Sequence, residues 1–388
     1  MSLSFLPYAK QSINANDLKA VSHALQQELI TRGPIVAQFE KSIADYCGAE
    51  YAVAFNSGTS ALMACYFAAE LSPFDRVIST PNSFIATVGM PIQQGILPQF
   101  VDLDRSTGNL NLDQLAPVLK TPLSRGRFFI VPVHFAGLAM DMALLDHHIH
   151  HPDTIVIEDA AHALGSFYPT GEKVGSCAYS QLTAFSFHPA KTLTTGEGGM
   201  VTTNDPHLYH RLQLFRDNGI ERQAPYLKQP AALGYYEVQA VTGNFNFTSF
   251  QAALGLSQFK RLEQFIAKRR LLMKRYRQQL KDVRHLSLFT PVQDDFTAFH
   301  LCVAQIDFAS YHTTRPIVME KLKNRQIGTQ MHYIPLYRHP LLAYQEWSRY
   351  PEAEIYHEQA ISLPLYYNLE ETDVDRVCHE LVSILQES

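Results

Sequence analysis

The chain is poor in cysteine and has no long apolar run. Its five cysteines, Cys47, Cys65, Cys177, Cys302 and Cys378, lie far apart without CxxC spacing, which argues against a disulfide framework and a structural zinc site. Reduced, buried thiols are expected. No stretch reaches the ~18 apolar residues of a membrane span, and Met1-Ser2-Leu3-Ser4-Phe5 lacks the basic start and apolar core of a secretory signal. Cytoplasmic residence without a membrane partner is the expectation. Charge is also sparse: charged residues make up 18% of the chain and the formal net charge is −5. The one dense basic run, Lys268-Arg269-Arg270 with Lys274-Arg275, falls in a helical pattern and reads as a solvated face, so no nucleic-acid partner is expected.

What the chain does have is length and apolar content. Its 388 residues, 46% hydrophobic, can bury one large core and a second smaller one. Asn14 and Asp17 form a capping pair, and Leu18, Val21 and Leu25 recur at helical spacing, predicting a helix to about Leu29. A second helix is predicted over Ala37 to Tyr46. Short apolar runs at Tyr51 to Phe55, Arg76 to Thr80, Phe128 to Val133, Thr154 to Glu158 and Leu182 to Phe187 read as strands, separated by helical or turn-rich stretches such as Ser83 to Gln94. This alternation predicts an α/β layer with a mostly parallel sheet. From Thr248 to Asp282 the period becomes one long helix. A large first domain over residues 1–247 and a smaller α+β domain over 248–388 are expected.

The most informative pairing is Lys191, in Ser186-Phe187-His188-Pro189-Ala190-Lys191-Thr192, downstream of a strand ending in Glu158-Asp159. A lysine amine can capture the aldehyde of pyridoxal 5′-phosphate (PLP), and a buried aspartate can keep the pyridine ring protonated as an electron sink. The strand before Asp159 is too apolar to leave a carboxylate without a partner, and a pyridinium nitrogen is such a partner. His162 is either a structural histidine or a donor to the cofactor's phenolic oxygen.

Asn56-Ser57-Gly58 breaks a strand, and Thr59-Ser60-Ala61 opens a helix. Alone the tetrapeptide Ser57 to Ser60 is an ordinary turn and cap, but after a strand the Gly58 and Thr59 N–H groups and the helix N-terminus suit a phosphate. Phe84, after Pro81-Asn82-Ser83, is either a core aromatic or a flat wall for the pyridine ring. His147-His148-Ile149-His150-His151 reads as a solvated helix end, because contiguous histidines do not converge on one ion, and no metal is assigned.

In order, Thr31-Arg32-Gly33-Pro34 with Phe39-Glu40, Asn56 to Leu62, Glu158-Asp159-Ala160-Ala161-His162-Ala163, the Lys191 run, Phe215-Arg216-Asp217-Asn218-Gly219 and His332-Tyr333-Ile334-Pro335 resemble the DegT/DnrJ/EryC/StrS family. These are sugar-nucleotide aminotransferases of PLP fold type I. The likeness runs nearly end to end. Pro7-Tyr8-Ala9-Lys10-Gln11-Ser12-Ile13, Pro132 to Gly137 with Asp141-Met142, Tyr235-Tyr236-Glu237 and Ser362 to Tyr366 resemble the branch that aminates C4 in pseudaminic acid biosynthesis. The resemblance implies transfer of the amino group of L-glutamate to a UDP-linked 2-acetamido-4-keto-2,4,6-trideoxy-hexose. It puts Lys191 on the cofactor aldehyde, Asp159 on the ring nitrogen, Phe84 against the ring, and Thr59 and Ser186 on the phosphate. Asn244 matches an asparagine that reaches the phosphate in a neighbouring subunit, implying a homodimer with shared sites. Tyr8, His332 and Tyr333 fall on the substrate side.

Three positions depart from the family pattern. Asn246 stands where arginine is common, Ser249 where an acidic residue is common, and Asn218 where histidine is frequent. Loss of that arginine removes a planar cation suited to a phosphate or a subunit contact. Related dehydratases of this fold lack the lysine that this chain retains, and no DNA-binding segment points to a non-catalytic regulator. Another UDP- or dTDP-keto-sugar remains the alternative substrate.

Overall fold

The computed structural model describes residues 4–229, 232–343 and 345–387, with the backbone alone over 291–293; Met1 to Leu3 of the opening segment lie outside the described residues. Helix α1 (Ala15–Leu25) opens on a reciprocal capping box, with Asn14 Oδ1 accepting the Asp17 N–H at 3.1 Å and the Asp17 carboxylate accepting the Asn14 N–H at 3.0 Å. It stops short of Leu29, because the chain turns there so that the Ile30 carbonyl accepts the Ser249 N–H at 2.9 Å. Helix α2 (Pro34–Cys47) has proline in its first turn and ends on Gly48 at φ 79°.

The first layer then alternates: β1 (Tyr51–Phe55), α3 (Gly58–Ala68), β2 (Arg76–Ser79), α4 (Ala86–Gln93), β3 (Gln99–Phe100), α5 (Leu112–Leu119), β4 (Phe128–Val131), α6 (Met142–His148), β5 (Ile155–Asp159), β6 (Leu182–Ser186), β7 (Gly199–Thr203) and α7 (Pro206–Arg216). The strands form one seven-stranded sheet in the order β1-β7-β6-β5-β4-β2-β3. All pairings are parallel except those of β7, which runs antiparallel to both β1 and β6. The sheet is buried on both faces, so its strands are nearly continuous in apolar residues. Val53, Phe55, Val77, Phe129, Ile157 and Val201 pack with Leu62 and Tyr66 of α3 and Leu212 and Phe215 of α7. Ala54, Ile78, Ile130, Val156, Phe185 and Met200 point the other way, toward Phe39 and Ile43 of α2.

A short pair, β8 (Ile220–Glu221) and β9 (Glu237–Val238), precedes α8 (Ser249–Phe259) and α9 (Leu262–Leu280). The expected single helix from Thr248 is therefore two. The chain breaks at Lys260-Arg261, where the Arg261 guanidinium reaches the fully buried Asp17 at 2.6 Å and ties the break to α1. Helix α9 spans both cores: Leu262 and Ile266 pack with the first layer, and Leu272, Met273, Tyr276 and Leu280 with the second.

That second core is built by β10 (Leu286–Leu288), β11 (Cys302–Ile306), α10 (Arg315–Asn324), α11 (Pro351–Gln359), β12 (Ala360–Leu363) and α12 (Glu371–Gln386), its strands forming an antiparallel sheet β10-β11-β12. The basic run on α9 is the expected solvated face only in part: Lys274 is exposed, whereas Arg269 turns inward. Arg269 is 2% exposed, its Nη1 donating to the carbonyls of Phe299 (3.2 Å), His300 (3.3 Å) and Leu365 (3.0 Å), and burial pulls it down to about 10. Arg270 donates to the Thr297 carbonyl and Arg275 pairs with Asp375. The cysteines are free and buried. Among the described residues no acidic, histidine or cysteine cluster suits a metal, and no helix is long and apolar enough to cross a membrane.

Candidate active site

Because β1, β2, β4, β5 and β6 run in one direction, their C-terminal ends share one edge of the sheet, the usual place for a site in an α/β layer. There, Tyr8, Gly58, Thr59, Phe84, Asp159, His162, Ser186, Lys191, His332 and Tyr333 line one cavity of about 420 Å³. Every expected site residue except Asn244 lies on it.

Asp159 ends β5, with its side chain on the cavity. Its Oδ2 accepts from the Thr87 hydroxyl at 2.6 Å and its Oδ1 from the Ala161 N–H at 3.1 Å. Burial pushes the carboxyl up, while the Thr87 hydrogen bond, the Ala161 N–H, Lys191 and His134 pull the other way without cancelling it. Such a carboxylate fits a further cation. Its neighbour Glu158 accepts from His134 (2.6 Å), Tyr168 (2.7 Å), Thr183 (2.9 Å) and Ser180. Burial raises Glu158, but these donors outweigh it and hold the group below its ordinary value.

Lys191 sits between β6 and β7, half-buried, with its N–H on the His188 carbonyl at 2.8 Å. Burial lowers its amine from 10.5 to about 8, against the opposing pull of Asp159. The lowered value raises the share of uncharged amine, the form that captures an aldehyde.

The start of α3 has the geometry to hold an anion. Ser57 caps the helix by accepting the Ser60 N–H at 3.1 Å, while the Gly58 and Thr59 N–H groups have no acceptor within the helix and face the cavity end. Two glycines make this approach possible. A Cβ at Gly58 would lie 2.9 Å from Ser186 Cβ, and one at Gly199 would lie 2.3 Å from the Ser57 carbonyl oxygen. Phe84 keeps 57% of its surface exposed at the cavity, an apolar face free to stack on a flat ring. The residues present therefore fit PLP at each of its ends.

His162 Nδ1 accepts the Ala136 N–H at 3.3 Å, and its Nε2 lies 3.2 Å from the Tyr333 hydroxyl. Burial, then Lys191 and His332, hold the imidazole well below its ordinary value, so the neutral ring carries its proton on Nε2. His332 Nδ1 meets the Ser362 hydroxyl at 2.8 Å, and burial and Lys191 lower it to about 4. Tyr333 is steadied by its N–H on Asn82 Oδ1 at 3.2 Å. Tyr8 packs 5.6 Å from the His332 ring.

Asn244 is exposed outside the cavity, bridged to Asp217, with its Oδ1 accepting from Asn246 Nδ2 at 2.7 Å. Asn246 in turn accepts from Arg32 Nε at 2.8 Å. Ser249 is buried and donates to the Leu29 carbonyl at 3.1 Å. Asn218 adopts φ 63°, a left-handed conformation that asparagine tolerates better than most residues. Thr87 and His300 are missing from the sequence reading. His300 lines the cavity with its ring 4.3 Å from that of His162, and a polar residue inside the apolar run Phe299 to Val303 is the signal that could have found it. Thr87 leaves no such signal.

A layered sheet with a lysine, a buried aspartate and a helix N-terminus together at its strand ends matches the fold type I PLP-dependent aminotransferases. The chain belongs to the DegT/DnrJ/EryC1/StrS aminotransferase family, which matches residues 11–382. It is 36% identical to the spore coat polysaccharide biosynthesis protein SpsC of Bacillus subtilis, over 98% of this chain and 97% of that protein. It is 32% identical to the UDP-4-amino-4,6-dideoxy-N-acetyl-beta-L-altrosamine transaminase of Helicobacter pylori, over 98% of this chain and 97% of that one. Among solved structures, Helicobacter pylori PseC, an aminotransferase in pseudaminic acid biosynthesis, superposes with a TM-score of 0.88 at 28% identity, covering 99% of this chain and 100% of that one. The chain is a sugar aminotransferase.

Proposed function

We propose that the chain transfers the amino group of L-glutamate to the C4 ketone of a UDP-linked 2-acetamido-4-keto-2,4,6-trideoxy-hexose, the amination step of pseudaminic acid biosynthesis. The observation that carries the reaction is the single cavity shared by Lys191, Asp159, Phe84 and the α3 N-terminus. The likeness to the Helicobacter pylori transaminase supports the sugar.

When bound, PLP supplies an aldehyde for amine capture and a ring that draws electrons from the carbon beside the captured nitrogen. The Gly58 and Thr59 N–H groups and the Ser186 hydroxyl would hold the phosphate, whose negative charge the helix N-terminus favours. Phe84 covers one ring face. Asp159 would stabilise positive charge on the ring nitrogen, and the His162 Nε2–H would be available to the phenolic oxygen. The Lys191 amine would take the proton from glutamate Cα in one half-reaction and deliver one to the sugar's C4 in the other. Glutamate leaves as 2-oxoglutarate and the ketone becomes an amine, so atoms and electrons balance. Tyr8, His332 and Tyr333 contact the sugar nucleotide. Asn244 completes the phosphate cradle of a second copy in a homodimer.

The likeness to SpsC favours a second reading, in which another keto-sugar destined for a polysaccharide is the acceptor. A panel of UDP- and dTDP-linked 4-keto sugars incubated with enzyme and ¹⁵N-glutamate separates the two. Mass detection of a ¹⁵N-amino product from the UDP-linked 2-acetamido sugar in preference to the others supports the proposal. Preferred amination of a different member of the panel overturns the substrate assignment.

A further inference from the structure

Behind the cavity, a short chain of buried hydrogen bonds joins three elements that each carry a part of the site. Thr87, fully buried on α4, donates its hydroxyl to Asp159 Oδ2 at 2.6 Å. Its backbone carbonyl accepts the hydroxyl of Tyr66, fully buried on α3, at 2.6 Å. Its N–H donates to the Phe84 carbonyl at 3.1 Å.

The helix whose first turn forms the anion cradle is thereby tied, through Tyr66, to the residue that holds the Asp159 carboxylate. That residue also carries the hydrogen bond that anchors the Phe84 backbone. We propose that Thr87 is a positioning residue for Asp159, its hydroxyl fixing the rotation and the negative charge of the carboxylate that faces the ring nitrogen, with Tyr66 fixing Thr87. This rests on the reading of Asp159 as the ring-nitrogen partner.

A buried carboxylate must be met by donors or a cation. Thr87 and the Ala161 N–H each occupy a different oxygen, so together they prevent rotation about Cβ–Cγ and leave the remaining lone pairs to the cavity. Hydrogen bonds to the ionised form also make a carboxylate a weaker base. A proton shared between the ring nitrogen and Asp159 therefore stays on nitrogen while the Thr87 hydroxyl is in place. Without it, Asp159 Oδ2 loses its buried donor, becomes more basic and draws that proton toward itself.

The test uses enzyme reconstituted with PLP carrying ¹⁵N in its ring. In wild type and in Thr87→Ser, which keeps the hydroxyl, the ring-nitrogen resonance is expected at the protonated position. In Thr87→Val, which keeps the β-branched shape, it is expected to move toward neutral pyridine, and the PLP dissociation constant to rise about tenfold, the size of one lost charge-assisted hydrogen bond. Thr87→Ala carries the same measurement if the valine variant does not fold. Asp159→Asn is the reference. An unmoved resonance and unchanged dissociation constant in the Thr87 variants, with Asp159→Asn displaced, overturn the role of Thr87 and leave that of Asp159 standing. If Asp159→Asn also leaves the resonance unmoved, both assignments fall.

Discussion

The Tyr333 hydroxyl lies 3.2 Å from His162 Nε2, so a side chain from the segment before α11 meets the imidazole that follows β5. With Nδ1 already occupied by the Ala136 N–H, Nε2 is the donor and Tyr333 is one of its acceptors. Tyr333→Phe is expected to keep the fold and PLP affinity but to lower turnover about tenfold, the scale of one hydrogen bond in a buried site. Steady-state kinetics beside a PLP titration check this. A tenfold loss of PLP affinity with unchanged turnover would assign Tyr333 to cofactor retention instead.

Lys191 gives a pH dependence in the cofactor-free protein. Its folded-state amine titrates near 8, below the ordinary 10.5, so the unfolded chain binds more protons between those values and stability rises with pH across that window. Below about pH 8 both states are protonated and the full cost of burying the charge is present. Apo Lys191→Met is therefore expected to melt above apo wild type at pH 7, with the gap narrowing between pH 8 and 10.5. Melting scans across that range check it, and a gap that widens with pH would show that burial does not depress this amine.

Asp159→Asn is expected to fold and to retain PLP in part, while turnover falls by at least about two orders of magnitude, because the protonated ring is the electron sink of both half-reactions. Near-normal turnover would give Asp159 another role.

The ion pair between Arg261 and Asp17 carries a stability prediction. Asp17 is fully buried and also accepts from Gln258 Nε2 at 2.7 Å and Ser257 Oγ at 2.6 Å. Removing one partner of a buried pair strands the other charge, so Arg261→Ala is expected to cost about 3 kcal/mol in denaturant unfolding. A change below about 1 kcal/mol would mean that Ser257 and Gln258 suffice.

Much of the candidate site's lining is legible in the sequence because its chemistry is local. Asp159 ends an apolar strand, Gly58 and Thr59 follow another, and Lys191 sits in a polar turn, so each can be found from its neighbours. What lies outside that reach is set by tertiary contact. The apolar period runs unbroken across Lys260-Arg261, and the break into two helices coincides with a tertiary contact, the ion pair of Arg261 with Asp17. Arg269 looks like any lysine- or arginine-rich surface until the carbonyls of Phe299, His300 and Leu365 converge on it. Thr87 sits between apolar neighbours in α4 and gains its meaning from a carboxylate brought to it by β5.

Asn244 lies exposed and outside the cavity of its own chain, and in the proposed homodimer it would complete the partner's site. Mixing Lys191→Ala chains with Asn244→Ala chains should leave, in each heterodimer, one site with both lesions and one with neither. Partial recovery of activity is expected, with Asn244→Ala homodimers impaired as the reference. Verified heterodimers without recovery would mean that each chain builds its site alone.

The most direct test of the account is to reduce the PLP-loaded enzyme with borohydride and map the labelled peptide. A pyridoxyl group on Lys191, abolished in Lys191→Ala, is the predicted result. A stable adduct on any other lysine, or none in the presence of excess PLP, would contradict it.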